Sequence, residues 1–356
     1  MGLKEFKTLI EKEFGKGLLF NPLENQGILS LKRFSTGSLV MDIDSGGGWP
    51  EGKVIEIFGP ESSGKTFLIN QAISTITNRK TNNQVLLIDE EGAFDANWVE
   101  AIGANMANIQ IVRSQFAEQA MDILEIAVQS GNFALVALDS IAALIPKTEL
   151  DQSTEKSHMA LTARLMGTAC RKIYRALNTS SQKGSNTTVF LINQIRMKVG
   201  LVFGNPETTP GGNAVKFAAS IRVMLRSSEH TKDDYEQVTG KETKYTFLKN
   251  KTAPPLRVGL LNFNVGGKDK GKISNLHALI PLGIKIGKVI KTKGNYLSGE
   301  WFTEGEVEKK VHGINQAVTY FKTKSLTDLN KMLKDIEEDF LDGEVLAFKF
   351  KQSDLD

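Results

Sequence analysis

Between residues 31 and 226 the chain alternates short apolar runs with longer stretches of helical periodicity. The runs lie at 54–58, 85–88, 109–112, 133–138, 188–192 and 221–225, and their length and residue types predict strands. Strands alternating with helices predict an α/β core: a parallel or mostly parallel sheet flanked by helices. In such sheets ligands gather at the carboxyl ends of the strands, so the chemistry is expected along one edge. On either side of this region the pattern changes. Residues 4–14 place Phe6, Leu9, Ile10 and Phe14 at helical spacing with charges between them, and Gly15 and Gly17 then end the segment. The apolar face of this small helix has two expected partners, the chain's own core or a neighbouring subunit. After about residue 268, short Gly- and Lys-rich segments lead into a mixed α/β tail. There 325–340 reads as a helix, with Ser325 as its cap and Asp328 three residues on. The expected organisation is an N-terminal helix and oligomerisation segment over 1–30, a core over 31–267 and a small C-terminal α/β domain over 268–356.

Composition adds bounds rather than identity. A chain of 356 residues, 40% hydrophobic and 24% charged, has material for one large core domain with smaller appendages and suits an ordinary soluble protein. A formal net charge of +3 does not specify a nucleic-acid partner, so any basic surface must come from local clustering. Cys170 is the single cysteine; it forms no internal disulfide, and its neighbours supply no metal-ligand spacing with the histidines. No run of about 18 apolar residues occurs, and the N-terminus lacks the long apolar stretch of a signal peptide. A cytoplasmic, reducing location with no membrane partner is expected.

Three strand ends and one loop carry the candidate chemistry. Gly59-Pro60-Glu61-Ser62-Ser63-Gly64-Lys65-Thr66 follows the run Val54-Ile55-Glu56-Ile57-Phe58 and precedes a helix expected over 67–77, the strand–loop–helix context of a phosphate-binding loop. Glycines let the backbone curl so that successive N–H groups face phosphates, Lys65 neutralises β/γ charge, and the Thr66 hydroxyl can ligate Mg²⁺. The competing reading is a glycine turn with no ligand. Asp139 ends the apolar run 133–138; beside a phosphate loop such an acid holds Mg²⁺ through its water shell, although alone it is commonly a turn residue. Asp89, Glu90 and Glu91 end another run. Adjacent carboxylates repel, so some must face Mg²⁺, water or a base, and one would orient the attacking water; a solvated acidic loop is the alternative. Residues 193–213 leave a strand with polar amides, carry Arg196 and Lys198 among apolar side chains and end near Gly211-Gly212. That suits a mobile loop closing on an extended polyanion such as single-stranded nucleic acid; an apolar hairpin packed on the core is the other reading.

Taken in order, these residues closely resemble the bacterial RecA recombinases, almost end to end. The densest matches are Phe14-Gly15-Lys16-Gly17, Ser35-Thr36-Gly37-Ser38-Leu39, the loop 59–66, Ser157-His158-Met159, the stretch 193–213, and Lys216-Phe217. The resemblance implies a RecA-like phosphate-loop ATPase core binding ATP and Mg²⁺. In it Gly59, Pro60, Glu61, Ser62, Ser63, Gly64, Lys65 and Thr66 cradle the phosphates and metal, Asp139 supports the metal through water, and Glu91 polarises the attacking water. Gln194 senses the γ-phosphate and links it to the loop that follows. Asp95 belongs to the nucleotide site, and Trp98 lies where the family usually has an aromatic residue near the adenine. DNA contacts map to a first loop around 155–161 with Met159, Arg164 and Arg171, and to a second over 195–212 with Arg196, Lys198, Val199, Phe203, Gly211 and Gly212. Cations there would follow the backbone, while Met159 and Val199 wedge between groups of stacked bases. Lys249 and Lys251 resemble the paired lysines that reach the neighbour's ATP across a subunit interface.

The implied function is ATP-dependent strand exchange. The protein would form a helical filament on single-stranded DNA, pair it with homologous double-stranded DNA, and serve recombination, repair and the SOS response to DNA damage. A repressor substrate and loading proteins are further implied partners. Departures from the pattern are Gly92 in place of the usual His, Pro210 before the glycine pair, Ala218 beside Phe217, and the polar insertion 180–185; they suit a divergent member, viral ones included. The main alternative is a ring-forming helicase or translocase on the same core, which the stretch 193–213 argues against. A filament acting chiefly as a binding scaffold is a third reading, compatible with the first.

Overall fold

The computed structural model describes residues 1–15, 19, 21, 31–150, 159–182, 184–197, 206–232, 236–267, 269–341 and 343–355, apart from the side chains of residues 150, 159 and 160. Its centre is an eight-stranded sheet. The strands are β1 (Val54–Gly59), β2 (Val85–Asp89), β3 (Ile109–Val112), β4 (Leu135–Asp139), β5 (Thr188–Gln194), β6 (Ile221–Lys232), β7 (Val238–Asn250) and β8 (Val258–Asn264). They lie in the order β8-β7-β6-β1-β5-β4-β2-β3. From β6 to β3 every pairing is parallel, while β7 and β8 add antiparallel strands at the other edge.

The expected α/β core is therefore present, with all the strands read from the apolar runs. Successive residues of a strand face opposite sides of the sheet. Val85 and Leu87 enter one apolar cluster together with helix α1 (Lys65–Thr77), whereas Leu86 and Ile88 enter a second beneath α2 (Ala117–Ser130) and α3 (Met159–Gln182). Helices on both faces explain why these runs are largely apolar rather than alternating. The charged residue within β1, Glu56, is fully buried but accepts from Asn193 of β5 and Arg222 of β6. Its charge is paired with a cation and hydrogen-bonded, as burial requires.

Two differences from the pattern-based strands have a physical cause. β6 continues past residue 225 to Lys232, paired with β7. The apolar rhythm stops where no core lies beneath, yet backbone hydrogen bonding continues into an exposed ribbon. β4 runs over Leu135–Asp139 rather than 133–138, because Phe133 and Ala134 sit at its rim; the Ala134 amide donates to Gln84 O outside the ladder.

The N-terminal helix Leu3–Phe14 buries none of its residues, and Phe6, Leu9 and Phe14 are exposed. At the other end, the helices Asn275–Lys285, Gly313–Lys322 and Leu326–Phe340 surround a third apolar cluster with small sheets. Leu39 and Ile43 of the core helix Leu39–Ser45 join this cluster, tying the tail to the core. Ser325 Oγ accepts from the Asp328 amide at 3.2 Å, capping the last of these helices. Among the described residues no helix is long and apolar enough to cross a membrane.

Candidate functional site

The loop between β1 and α1 sits at the carboxyl edge of the sheet, where two glycines make its curl. A Cβ added to Gly59 would lie 2.3 Å from the Leu225 carbonyl oxygen, and Gly64 has φ +92° as it caps α1. No L side chain fits the first position, and few adopt the second without strain. The amino end of α1 consequently opens toward the concave face of the loop, the geometry that receives phosphate oxygens.

Lys65, buried in the first turn of α1, donates to Pro60 O at 2.7 Å and to Gly59 O at 3.3 Å. Burial holds its pKa below the ordinary lysine range, opposed chiefly by the charges of Glu91, Asp139 and Glu61. Thr66 Oγ1 donates to Asp139 Oδ2 at 3.2 Å, bringing the helix start and the end of β4 together. Burial, and then the neighbouring Glu91 charge, push the Asp139 carboxyl up to about 7; the Thr66 hydrogen bond works in the other direction. Lys65 also acts on this carboxyl and lowers its pKa. The pairing of carboxyl with hydroxyl supplies the hard oxygen donors that Mg²⁺ prefers, so the residues present fit that ion.

The acidic run beyond β2 separates into three environments. Asp89 is buried, bonded to Arg113 Nη2 at 3.0 Å and to the Ala93 amide at 3.1 Å. Glu90 accepts from the Ser114 amide at 2.9 Å. Glu91 alone turns to the loop side. It accepts from the Ser140 hydroxyl and, at 2.9 Å, from Gln194 Nε2 at the end of β5. The repulsion expected among adjacent carboxylates is thereby relieved by different partners, leaving Glu91 exposed beside Gln194.

Asp95 accepts from the Trp98 amide at 3.1 Å and so caps the short helix Ala96–Ala101. Trp98 packs beside Phe67, its ring centroid 6.2 Å away, and Lys270 Nζ lies 4.9 Å from the centre of the indole. Phe67 in turn stacks on Phe263 of β8, with centroids 3.8 Å apart. An aromatic floor therefore extends from the phosphate loop toward Trp98.

Beyond Gln194 the chain leaves the sheet. Arg196 and Met197 pair with Thr208 and Glu207, closing the base of a loop, and the Arg196 side chain is exposed. Lys198, Val199 and Phe203 lie outside the described residues, as do Lys16, Gly17, Glu155, Ser157 and His158; for Met159 only the backbone is described. A Cβ added to Gly211 would lie 3.2 Å from Met166 Cγ and one added to Gly212 3.2 Å from Ala163 Cβ, so the end of the loop lies against α3, the helix that carries exposed Arg164 and Arg171. Asn193 Nδ2 donates both to Glu56 at 3.1 Å and to Pro210 O at 3.0 Å, so one side chain ties β5, β1 and the returning loop together. The polar insertion is also anchored: Ser185 Oγ donates to Gly131 O at 3.0 Å.

Lys249 lies level with Arg222 and Glu56, beside the first half of β1 rather than the loop that follows its end. Lys249 Nζ donates to the Lys216 and Phe217 carbonyls at 2.7 and 3.1 Å, at the carboxyl end of the helix Gly212–Ala218, while Lys251 is exposed. Burial holds the Lys249 pKa below the usual range. Sequence reading gave no individual role to Ser140, Asn193, Lys241 or Phe263, although each touches this region. They belong to strands and strand ends whose pairing no local pattern reveals.

A sequence model of the RecA N-terminal domain matches residues 2–267. Three similar proteins, each called Protein RecA, come from different bacteria. That of Methylococcus capsulatus is 42% identical over 297 residues, 83% of this chain and 80% of the relative. That of Thioalkalivibrio sulfidiphilus is 40% identical over 314 residues, 88% and 86% of the two chains. That of Borrelia hermsii is 39% identical over 345 residues, 94% and 92%.

Proposed function

This chain belongs to the RecA family, and from that premise we propose how its residues divide the work of an ATP-dependent DNA recombinase. The activity is strand exchange driven by a DNA-dependent ATPase: the protein binds ATP, binds DNA and assembles into a filament. Lys65 leaves the carbonyls of Gly59 and Pro60 for the β/γ-phosphates, where its charge offsets what develops in the transition state. Thr66 and Asp139 would hold Mg²⁺, which when bound would neutralise phosphate charge. Glu91 accepts a proton from the attacking water, and the Ser140 hydroxyl orients its carboxylate.

The observation that carries this reading is the hydrogen bond from Gln194 to Glu91. It joins the group that activates water to the strand that leads directly into the loop proposed to bind DNA. Occupancy of the loop and readiness of the carboxylate are then coupled, so DNA and ATP tighten each other's binding by the same free energy, and DNA in the loop also sets Glu91 for hydrolysis. Trp98 and Asp95 flank the adenine. Arg164, Arg171, Arg196 and Lys198 lie along the phosphate backbone with Gly211 and Gly212, while Met159, Val199 and Phe203 supply apolar contacts to bases. Lys249 and Lys251 act on the ATP of the next protomer. The division into 1–30, 31–267 and 268–356, a cytoplasmic location, and engagement of a repressor and loading proteins complete the reading.

Electron microscopy with single-stranded DNA and a non-hydrolysed ATP analogue tests it. A helical filament that requires both ligands is expected. A closed ring would replace recombination by the translocase alternative, and filaments indifferent to nucleotide would overturn the coupling.

A further inference from the structure

A cation that none of the roles above uses lies against the outer side of the phosphate loop. Thr243 and Lys241 of β7 are two residues apart and share one face of the strand. Thr243 Oγ1 lies 3.4 Å from where a Gly64 Cβ would stand, so this face looks onto the loop. The register is held by Phe263, which pairs with Lys241 across the ladder and stacks on Phe67 in the first turn of α1. Lys241 Nζ accordingly reaches the loop and donates to the Ser62 carbonyl oxygen. Ser62 has φ +55°, a left-handed conformation in which a residue with a side chain is held only by its surroundings.

We propose that Lys241 is a positioning residue for the nucleotide, fixing the left-handed turn at Ser62 and polarising the Ser62–Ser63 peptide so that its N–H binds phosphate more tightly. The Ser62 carbonyl and the Ser63 N–H belong to one peptide unit. A cation on the oxygen draws electron density from the nitrogen and strengthens that N–H as a donor, while the same bond holds the curl that aims it inward. Lys65 also feels this charge, which adds to the burial that lowers its pKa. Lys241 therefore acts in its own protomer and from outside the loop, unlike Lys65 within it and the lysines proposed to act across an interface.

The inference rests on the loop being the nucleotide site, so the experiment carries Lys65→Ala as a control. Affinity for ADP and for inorganic pyrophosphate is measured without DNA by displacement of a fluorescent nucleotide, alongside thermal unfolding without ligand. Lys241→Gln should weaken both ligands by the same factor of about ten, and Lys241→Arg should restore affinity to within about twofold, with unfolding midpoints unchanged. Turnover on single-stranded DNA should then show a raised KM for ATP at a nearly unchanged kcat. Unchanged affinity in Lys241→Gln, or a loss for ADP but not for pyrophosphate, would overturn the proposal. A loss that Lys241→Arg does not rescue and that accompanies a lower unfolding midpoint would also overturn it, by making the residue merely structural. If Lys241→Gln is too unstable to titrate, the same measurements on Lys241→Thr decide. Normal binding by Lys65→Ala would instead remove the nucleotide-site reading on which all this stands.

Discussion

Gln194 Nε2 donates to Glu91 Oε1 at 2.9 Å, joining two strand ends that are 103 residues apart in the chain. The same Glu91 oxygen accepts from Ser140 Oγ, next to Asp139. One carboxylate thus gathers the ends of β2, β4 and β5.

Replacing Glu91 by Gln keeps the shape and removes the proton acceptor. ATP-dependent DNA binding should persist while kcat falls by about a hundredfold or more, the usual share of a general base. Steady-state hydrolysis on single-stranded DNA, paired with DNA affinity, makes the check. Unchanged turnover would move the role elsewhere, though Asp89 is already engaged by Arg113.

Arg196→Ala with Lys198→Ala should weaken single-stranded DNA binding to a similar degree for every sequence. Each lost phosphate contact lowers the slope of log affinity against log salt by about 0.7, so the pair should flatten it by about 1.4. A salt series reads the slope directly. An unaltered slope would take this loop out of the DNA path.

Lys249→Ala with Lys251→Ala should leave ATP binding in isolated protomers intact. DNA-stimulated turnover should fall steeply, by about a thousandfold if the lysines act on the neighbour's ATP as an arginine finger does. Mixing with Lys65→Ala protomers should restore part of the activity, with recovery that rises and falls with the mixing ratio, since some hybrid interfaces then hold one intact ATP site and one competent lysine pair. Wild-type turnover by the double-lysine variant alone would refute action in trans. Lys249 also donates to the carbonyl end of Gly212–Ala218, so filament assembly would exchange those acceptors for phosphate oxygens.

Asp42 supplies a pH signature of the fold itself. Burial pushes its carboxyl up to about 7, against the opposing effects of Thr36, Ser35 and Arg33. An unfolded aspartate titrates near 4, at about 3.9. Below that pH both states carry the proton and the group contributes no pH dependence. Between about 4 and 7 the unfolded chain gives up its proton while the native state keeps it, so unfolding free energy falls as pH rises, and above 7 the loss levels off. Relative to Asp42→Asn, the wild type should lose at most about 4 kcal/mol across that window, from about 1.4 kcal/mol per pKa unit. Urea unfolding of both proteins at pH 5, 6, 7 and 8 measures the difference; a constant offset would contradict the assignment.

Local residue order alone made the phosphate loop, the apolar strands and the convergence of Lys65, Thr66 and Asp139 on one edge legible. Each depends on chain neighbours: glycines at a turn, a strand before it and a helix after it. The same locality left the acidic run ambiguous, because Asp89, Glu90 and Glu91 are adjacent and chemically alike. They differ only in what comes to meet them: Arg113, the Ser114 amide and Gln194.

The antiparallel edge was beyond such reading as well. β7 and β8 lack a continuous apolar rhythm, and their strand identity comes from pairing with β6 and with each other. That pairing alone decides that Lys241 lies over Ser62, 179 residues earlier in the chain, and that Lys249 reaches the carbonyls of Lys216 and Phe217. Side-chain periodicity tells which face of a strand is buried, whereas register between distant strands is set by the summed packing of the folded core, and contacts of that kind exist only once the sheet has formed.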